Sequence, residues 1–322
     1  MGYDFQVFTG NINRSLAEGI CQHLDIELGV AEVTSFPGGE ISVQIRENVR
    51  GNDVYIVQPI CGNGEYTPND ALMEILILID AARRASARRI TAVLPYYGYA
   101  RQDRKDRPRV PITAKLIGNL IVTAGARRVL SLDLHSNQIQ GFFDIPMDHL
   151  YSINVFGNYL MEKGMENLVT VTPDLGNIKM TRAYSELLDA PLAIVDKRRS
   201  SGTQTEVLNI IGDVEGKNVV IIDDLISTGG SLVEAAAALR EHGALDISAA
   251  IVHPVLAGPA VERVENSVLT ELVVSDSIPV PENVRNGKIK VLSVASILAE
   301  AIRRIHNDES VSTLFGNVHV EG

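Results

Sequence analysis

Two aspartates, Asp223 and Asp224, stand side by side after the apolar run VVII, and a turn of Ser227, Thr228, Gly229, Gly230 and Ser231 follows them. Beyond the turn lies the alanine-rich stretch LVEAAAALR. The apolar run reads as a buried strand and the alanine-rich stretch as a helix, so the turn sits where open α/β sheets bind ligands. Glycines at 229 and 230 let successive amides close around an anion. A charge at such a terminus is worth only about 0.3–1 kcal/mol, so several donors must act together. Two carboxylates would repel a bare phosphate. They suit vicinal hydroxyls, or a metal, on a sugar whose phosphate occupies the turn. The competing reading is a helix N-cap beside a solvated acidic pair. No Walker-type lysine follows the glycines, which argues against a P-loop kinase.

A second stretch, DLHSNQIQGFFDIPMD, gathers Asp133, His135, Asp144 and Asp148. Hard oxygen ligands around one imidazole suit Mg²⁺ or Mn²⁺ better than a structural zinc. A lone histidine is more often a hydrogen-bonded core residue, so this stretch needs support from elsewhere. Cations supply some. The loops RQDRKDRPR and DKRR hold eight of the 29 lysines and arginines of a chain with net charge −11. That net charge excludes broad attraction to nucleic acid or to anionic membranes, so a polyanionic ligand must be held by such local clusters.

The elements that would position these groups are legible. Apolar runs recur in DVYIVQ, ITAVLPYY, RVLSLDLH, LVTVTPD, LAIVDKR, NVVIIDD, ISAAIVHPV and ELVVSD, with helical patterns between them. Continuous apolar strands alternating with helices indicate parallel sheets covered on both faces, an α/β protein. The order strand, loop, helix, strand occurs in both halves, which suggests duplication of one unit. Length predicts about two domains. We expect a first over residues 1–150, a second over 151–305, and a tail over 306–322 that packs back on the first. Two cysteines without CxxC spacing exclude a disulfide scaffold and point to a reducing cytoplasm. No signal peptide, myristoylation pattern or bilayer-length apolar run is expected.

The opening turn resembles the loop with which type I phosphoribosyltransferases grip ribose 5-phosphate. The 133–148 stretch resembles the signature of ribose-phosphate pyrophosphokinases. The motifs YYGYARQDRK, PITAKL, DKRR, HPVLAGPAVER and ESVSTLF match that family in order over nearly the whole chain. The resemblance implies two tandem phosphoribosyltransferase-type domains with mainly parallel sheets, related by pseudo-twofold duplication. It implies transfer of the pyrophosphoryl group of ATP to ribose 5-phosphate with Mg²⁺, in a homo-oligomer built from dimers into a hexamer. Asp223, Asp224 and the turn 227–231 would bind ribose 5-phosphate, and His135 with Asp174 would hold the metal. Phe36, Gly38, Gly39, Glu40, Arg101, Gln102 and Asp103 would bind ATP. Lys197 and Arg199 would belong to a loop that closes on the transferring group. Arg50, Ser86, Lys105, Arg109, Ser310, Ser312 and Phe315 match a regulatory site.

Several positions depart from the family pattern. Gly38, in FPGGE, replaces an acidic residue and loosens the expected preference for ATP. The loop PICGNGEYTPND is longer than usual, Asn177 interrupts a glycine pair, Met180 replaces a basic residue, and Ser227 stands where Asp is common. Two other readings are a phosphoribosyltransferase and a weakly catalytic regulatory subunit. The first leaves DLHSNQIQGFFD and GYARQDRK without a task. The second usually carries an insertion in the loop after DKRR, which is uninterrupted here.

Overall fold

A computed structural model describes residues 4–174, 176–199 and 206–315. Its chain divides into two compact units, one of residues 1–151, 277–279 and 293–315, the other of residues 152–276 and 280–292.

The first unit contains strand β1 (Phe5–Thr9), helix α1 (Arg14–Leu24), the hairpin β2 (Ala31–Ser35) and β3 (Ile41–Ile45), and β4 (Asp53–Val57). Helix α2 (Pro68–Arg84), β5 (Arg89–Leu94), α3 (Thr113–Ala124), β6 (Arg128–Leu132) and β7 (Met147–Leu150) follow. Its sheet has the order β1-β4-β5-β6-β7 with every pair parallel. Every residue of β4 is buried, as a strand covered by helices on both faces must be. Helix α2 begins with a capping box: Asp70 N–H donates to the Thr67 hydroxyl while Thr67 N–H donates to the Asp70 carboxylate, and Pro68 occupies the first turn.

The second unit runs through α4 (Ile153–Glu162), β8 (Leu168–Thr172), α5 (Ile178–Leu187), β9 (Leu192–Arg199), β10 (Glu206–Ile211) and β11 (Asn218–Ile226). It continues with α6 (Gly230–Glu241), β12 (Ile247–Pro254), α7 (Ala260–Glu265), β13 (Glu271–Ser275) and β14 (Ile289–Leu292). The sheet order is β10-β9-β8-β11-β12-β13-β14, parallel except for the antiparallel β9–β10 pair. The α/β class with mainly parallel sheets is thus as expected. The repeated strand, loop, helix, strand appears as β4–α2–β5 and β11–α6–β12, with the two strands of each repeat paired in parallel.

The eight apolar runs of the sequence are β4, β5, β6, β8, β9, β11, β12 and β13, which are the interior strands of the two sheets. The six strands that the sequence reading did not single out are the four sheet edges, β1, β7, β10 and β14, and the β2–β3 hairpin. Edge strands need fewer apolar residues. The pattern of β2 and β3, for example, contains no fully buried position.

The last helix differs from the expected partition. Helix α8 (Ala295–His306) belongs to the first unit, whereas the expectation assigns residues up to 305 to the second. Its buried face, Ala295, Leu298, Ala299, Ile302 and Ile305, has helical spacing and packs on α1. A methyl group added at Gly19 would lie 3.3 Å from the Ala295 Cβ, so the helices meet closely. Arg303 donates to the His23 carbonyl at 2.8 Å, and the His306 ring nitrogen Nδ1 lies 2.9 Å from the buried Asp53 carboxylate.

Candidate active site

In the second unit, β11 carries both aspartates inside the strand. The expected strand ends at Ile222, but pairing with β12 continues through Asp223, opposite Ile251, to Ile226, opposite Pro254. On its other side the register with β8 stops at Ile221. Asp223 and Asp224 therefore lie where β11 outruns one neighbour, the crevice that a parallel sheet offers a ligand. After the strand, Ser227 and Thr228 lead to Gly229, the N-cap of α6, at φ 75°, a conformation that favours glycine. Ala257 N–H donates to the Ser227 carbonyl at 2.9 Å, and Arg263 Nη1 donates to the Thr228 carbonyl at 3.0 Å. These bonds occupy carbonyls of the turn, while the amides of Gly230 and Ser231 begin the helix. Arg263 is a residue that the sequence reading saw only as part of a motif.

Asp224 is 7% exposed and Asp223 is half-buried. Burial pushes the Asp223 carboxyl well above the usual carboxylate range, and the charges of Asp224 and Asp174 push it the same way. Asp174 is exposed in the turn after β8, where its Oδ1 accepts from the amides of Gly176 at 2.7 Å and Asn177 at 3.3 Å. Asn177 Nδ2 donates to Asp223 Oδ1 and, at 3.0 Å, to Asp224 Oδ1. The sequence singles out Asn177 only as an interruption of a glycine pair. Its contact with residues 46 and 47 positions away has no local signal.

In the first unit, Phe36, Gly38, Gly39 and Glu40 form the tip of the β2–β3 hairpin. Phe36 N–H donates to the Glu40 carbonyl and Gly39 N–H to the Phe36 carbonyl, both at 2.8 Å, which closes the turn with Gly39 at φ 86°. Phe36 is 57% exposed, a ring displayed to solvent. Arg101 and Gln102 are exposed and Asp103 half-exposed in the loop after β5. Gln102 N–H donates to the Tyr99 carbonyl at 3.1 Å, and the Gln102 side chain accepts from the Thr113 hydroxyl.

His135 is exposed in the loop after β6. The preceding residue is held by a second histidine: Leu134 N–H donates to His149 Nε2 at 2.9 Å, which sets that ring's Nε2 as an acceptor. The acidic stretch does not close into a metal site of its own. Asp148 pairs with Arg128 in the sheet, Asp144 faces Lys115 at 3.8 Å, and Asp133 is buried with its N–H donating to the Leu150 carbonyl. Among the described residues no group of three or more His, Cys, Asp or Glu side chains could hold a metal ion. His135 lies in the first unit and Asp174 in the second.

Of the regulatory positions, Ser86 at φ 66° accepts from Gly51 N–H at 3.0 Å, which sets it beside the Arg50 turn. Asn48 accepts from Arg50 N–H at 3.1 Å. Ser310 and Ser312 share a hydroxyl hydrogen bond of 2.6 Å, and Arg304 ties the same turn through Thr313. Lys105 and Arg109 stand on the exposed loop before α3. The side chains of Lys197, Arg199 and Phe315 lie outside the described residues.

Residues 5–125 match the N-terminal domain of ribose phosphate pyrophosphokinase, and residues 199–316 match the phosphoribosyl synthetase-associated domain. The ribose-phosphate pyrophosphokinase of Caldanaerobacter subterraneus is 52% identical over 96% of this chain and 97% of its own length. That of Rhizobium meliloti is 54% identical over 96% and 99%. The crystal structure of phosphoribosylpyrophosphate synthetase from Mycobacterium smegmatis matches with a TM-score of 0.88 at 39% identity, covering 95% of this chain and 99% of that one. With an aspartate pair inside β11, a glycine turn leading from it into α6, and relatives matched almost end to end, the chain belongs to the ribose-phosphate pyrophosphokinase family.

Proposed function

We infer that this chain transfers the β,γ-pyrophosphoryl group of ATP to the 1-hydroxyl of ribose 5-phosphate, giving phosphoribosyl pyrophosphate and AMP. The observation that carries the reading is identity of about half the residues to ribose-phosphate pyrophosphokinases over nearly their full length. A bond forms from the sugar O1 to the β-phosphorus, and the bond from that phosphorus to the oxygen bridging to the α-phosphate breaks. AMP departs with that oxygen, and the sugar hydroxyl gives up its proton. Such a transfer rests on alignment and charge stabilisation.

Asp223 and Asp224 accept hydrogen bonds from ribose hydroxyls while the amides and hydroxyls of 227–231 take the 5-phosphate. Holding both ends of the sugar orients O1, and orientation can supply about 7–11 kcal/mol of the barrier in favourable cases. Arg101, Gln102, Asp103 and the hairpin tip from Phe36 to Glu40 serve the nucleotide. Lys197 and Arg199 balance the charge that develops on the transferring group.

Each donor, taken on its own unit, suits Mg²⁺: Asp174 is exposed, with one oxygen oriented by two amides, and His135 offers an exposed imidazole. Mg²⁺ held by these residues would neutralise phosphate charge. By the same reading the subunits form hexamers from dimers, and Gly38 relaxes the preference for ATP. The buried, unpaired Cys21 and Cys61 fit a reducing cytoplasm, and no helix among the described residues is long and apolar enough to cross a membrane.

Purified protein with ribose 5-phosphate, ATP and Mg²⁺ should release AMP. Absence of AMP across phosphate concentrations and nucleotide donors would overturn the reading. GTP and CTP, tried in the same assay, test Gly38, and native mass spectrometry tests the hexamer.

A further inference from the structure

Asn177 is placed to cap a helix and does something else. It is the N-cap of α5, where an asparagine side chain ordinarily accepts from the second or third amide, yet its side chain makes no cap hydrogen bond. The backbone is held independently, because the buried Thr181 donates both its N–H, at 3.0 Å, and its hydroxyl, at 3.1 Å, to the Asn177 carbonyl. The side chain is thereby spared, and its Nδ2 donates to Asp223 and Asp224 together. Its own N–H donates to Asp174. One residue touches all three carboxylates of this unit's site.

The geometry of β11 explains why such a residue is needed. Neighbouring residues of a strand point to opposite faces. Bringing Asp223 and Asp224 to one ligand requires the Asp223 side chain to fold back, and it does so by accepting from Asp224 N–H at 2.9 Å. The carboxylates then repel one another. A donor fixed to a helix start and shared between both Oδ1 atoms offsets that repulsion. It occupies about one of roughly four acceptor positions on each group, so hydroxyls can bind without displacing it.

We propose that Asn177 is a positioning residue that presents the Asp223–Asp224 pair to the ribose hydroxyls, an inference that rests on reading those aspartates as the sugar site. The test is calorimetric binding of ribose 5-phosphate, with ATP as the control, to the full chain and to Asn177→Ala and Asn177→Asp. Removing a hydrogen bond to a charged group should weaken ribose 5-phosphate by roughly tenfold in Asn177→Ala. Asn177→Asp, which adds a fourth carboxylate, should lose more. ATP affinity should stay within about twofold, and in turnover the loss should fall on the KM for ribose 5-phosphate rather than on kcat. Ribose 5-phosphate affinity within about twofold of wild type would overturn the proposal. An equal loss for both ligands would mark a role in the fold and also overturn it. Should Asn177→Ala not fold, the same-sized Asn177→Asp decides. A wild type that binds ribose 5-phosphate without releasing AMP would sink the pyrophosphokinase reading and leave the binding comparison to judge Asn177. A wild type that binds none would overturn both.

Discussion

Glu74 and Asp223 are carboxylates drawn out of water near the C-terminal ends of parallel strands, one in each unit, and their surroundings are opposite. Glu74, on α2 and 1% exposed, accepts from Asn11 N–H at 2.9 Å, from Asn11 Nδ2 at 2.6 Å and from Gln58 Nε2 at 2.6 Å. These donors tie the residues just after β1 and β4 to the helix, and Asn11 Nδ2 also reaches the Val33 carbonyl of β2 at 3.1 Å. The fit is close, since a methyl group added at Gly10 would fall 2.5 Å from a Glu74 oxygen. Asp223 has the Asn177 amide and one backbone N–H, and its other neighbours are Asp224 and Asp174. A buried carboxylate matched by donors is framework. One set against like charges marks a candidate ligand site.

Substitutions should separate the two. The largest effect is expected for Glu74→Ala, which strands the buried Gln58 donor and the two part-buried donors of Asn11 and should cost about 3–5 kcal/mol of unfolding free energy in urea titrations. The folded fraction should still bind ribose 5-phosphate normally. A stable Glu74→Ala that had lost the sugar would reverse the comparison.

Next comes Asp224→Ala, for which we expect about a 100-fold fall in kcat/KM for ribose 5-phosphate, the scale of one or two hydrogen bonds to a charged group. Steady-state AMP release measures it, and a change below threefold would remove Asp224 from the sugar site. Gly10→Ala should destabilise by about 1–3 kcal/mol through overpacking against Glu74 and Gln58, read as a lower thermal midpoint. An unchanged midpoint would show that this network yields easily.

The smallest effect on stability has the opposite sign. Asp223→Asn should stabilise the ligand-free protein at pH 7 while abolishing most activity. The sign follows from the raised pKa of Asp223 in the fold. Its folded form holds a proton more tightly than its unfolded form, so the wild type is favoured below the unfolded carboxylate value, near 3.9, and loses that advantage as pH rises towards the folded pKa. The gap between variant and wild type should therefore open with rising pH and close below about pH 4. Urea midpoints across that range would show it. A gap independent of pH would place the strain elsewhere.

The same contrast separates what could be read in advance from what could not. Interior strands such as β4 and β11 announce themselves because burial on both faces demands continuous apolar residues, while the edges β1, β7, β10 and β14 do not. The turn after β11 was legible because a positive φ at Gly229 and a helix start are local requirements. Asp144 and Asp148 looked like partners of His135 on spacing alone. In the fold Asp148 instead satisfies Arg128 across the β6–β7 pair.

By itself, the sequence determined the α/β class, the interior strands and the glycine turn that starts α6, because periodicity, glycine and charge spacing act over a few residues. Only the tertiary structure decided that Asn177 meets the two aspartates, that His149 steadies the loop before His135, and that α8 returns to the first unit. Those contacts join residues far apart in the chain, and nothing in local preference selects one distant partner over another until the sheets and helices pack.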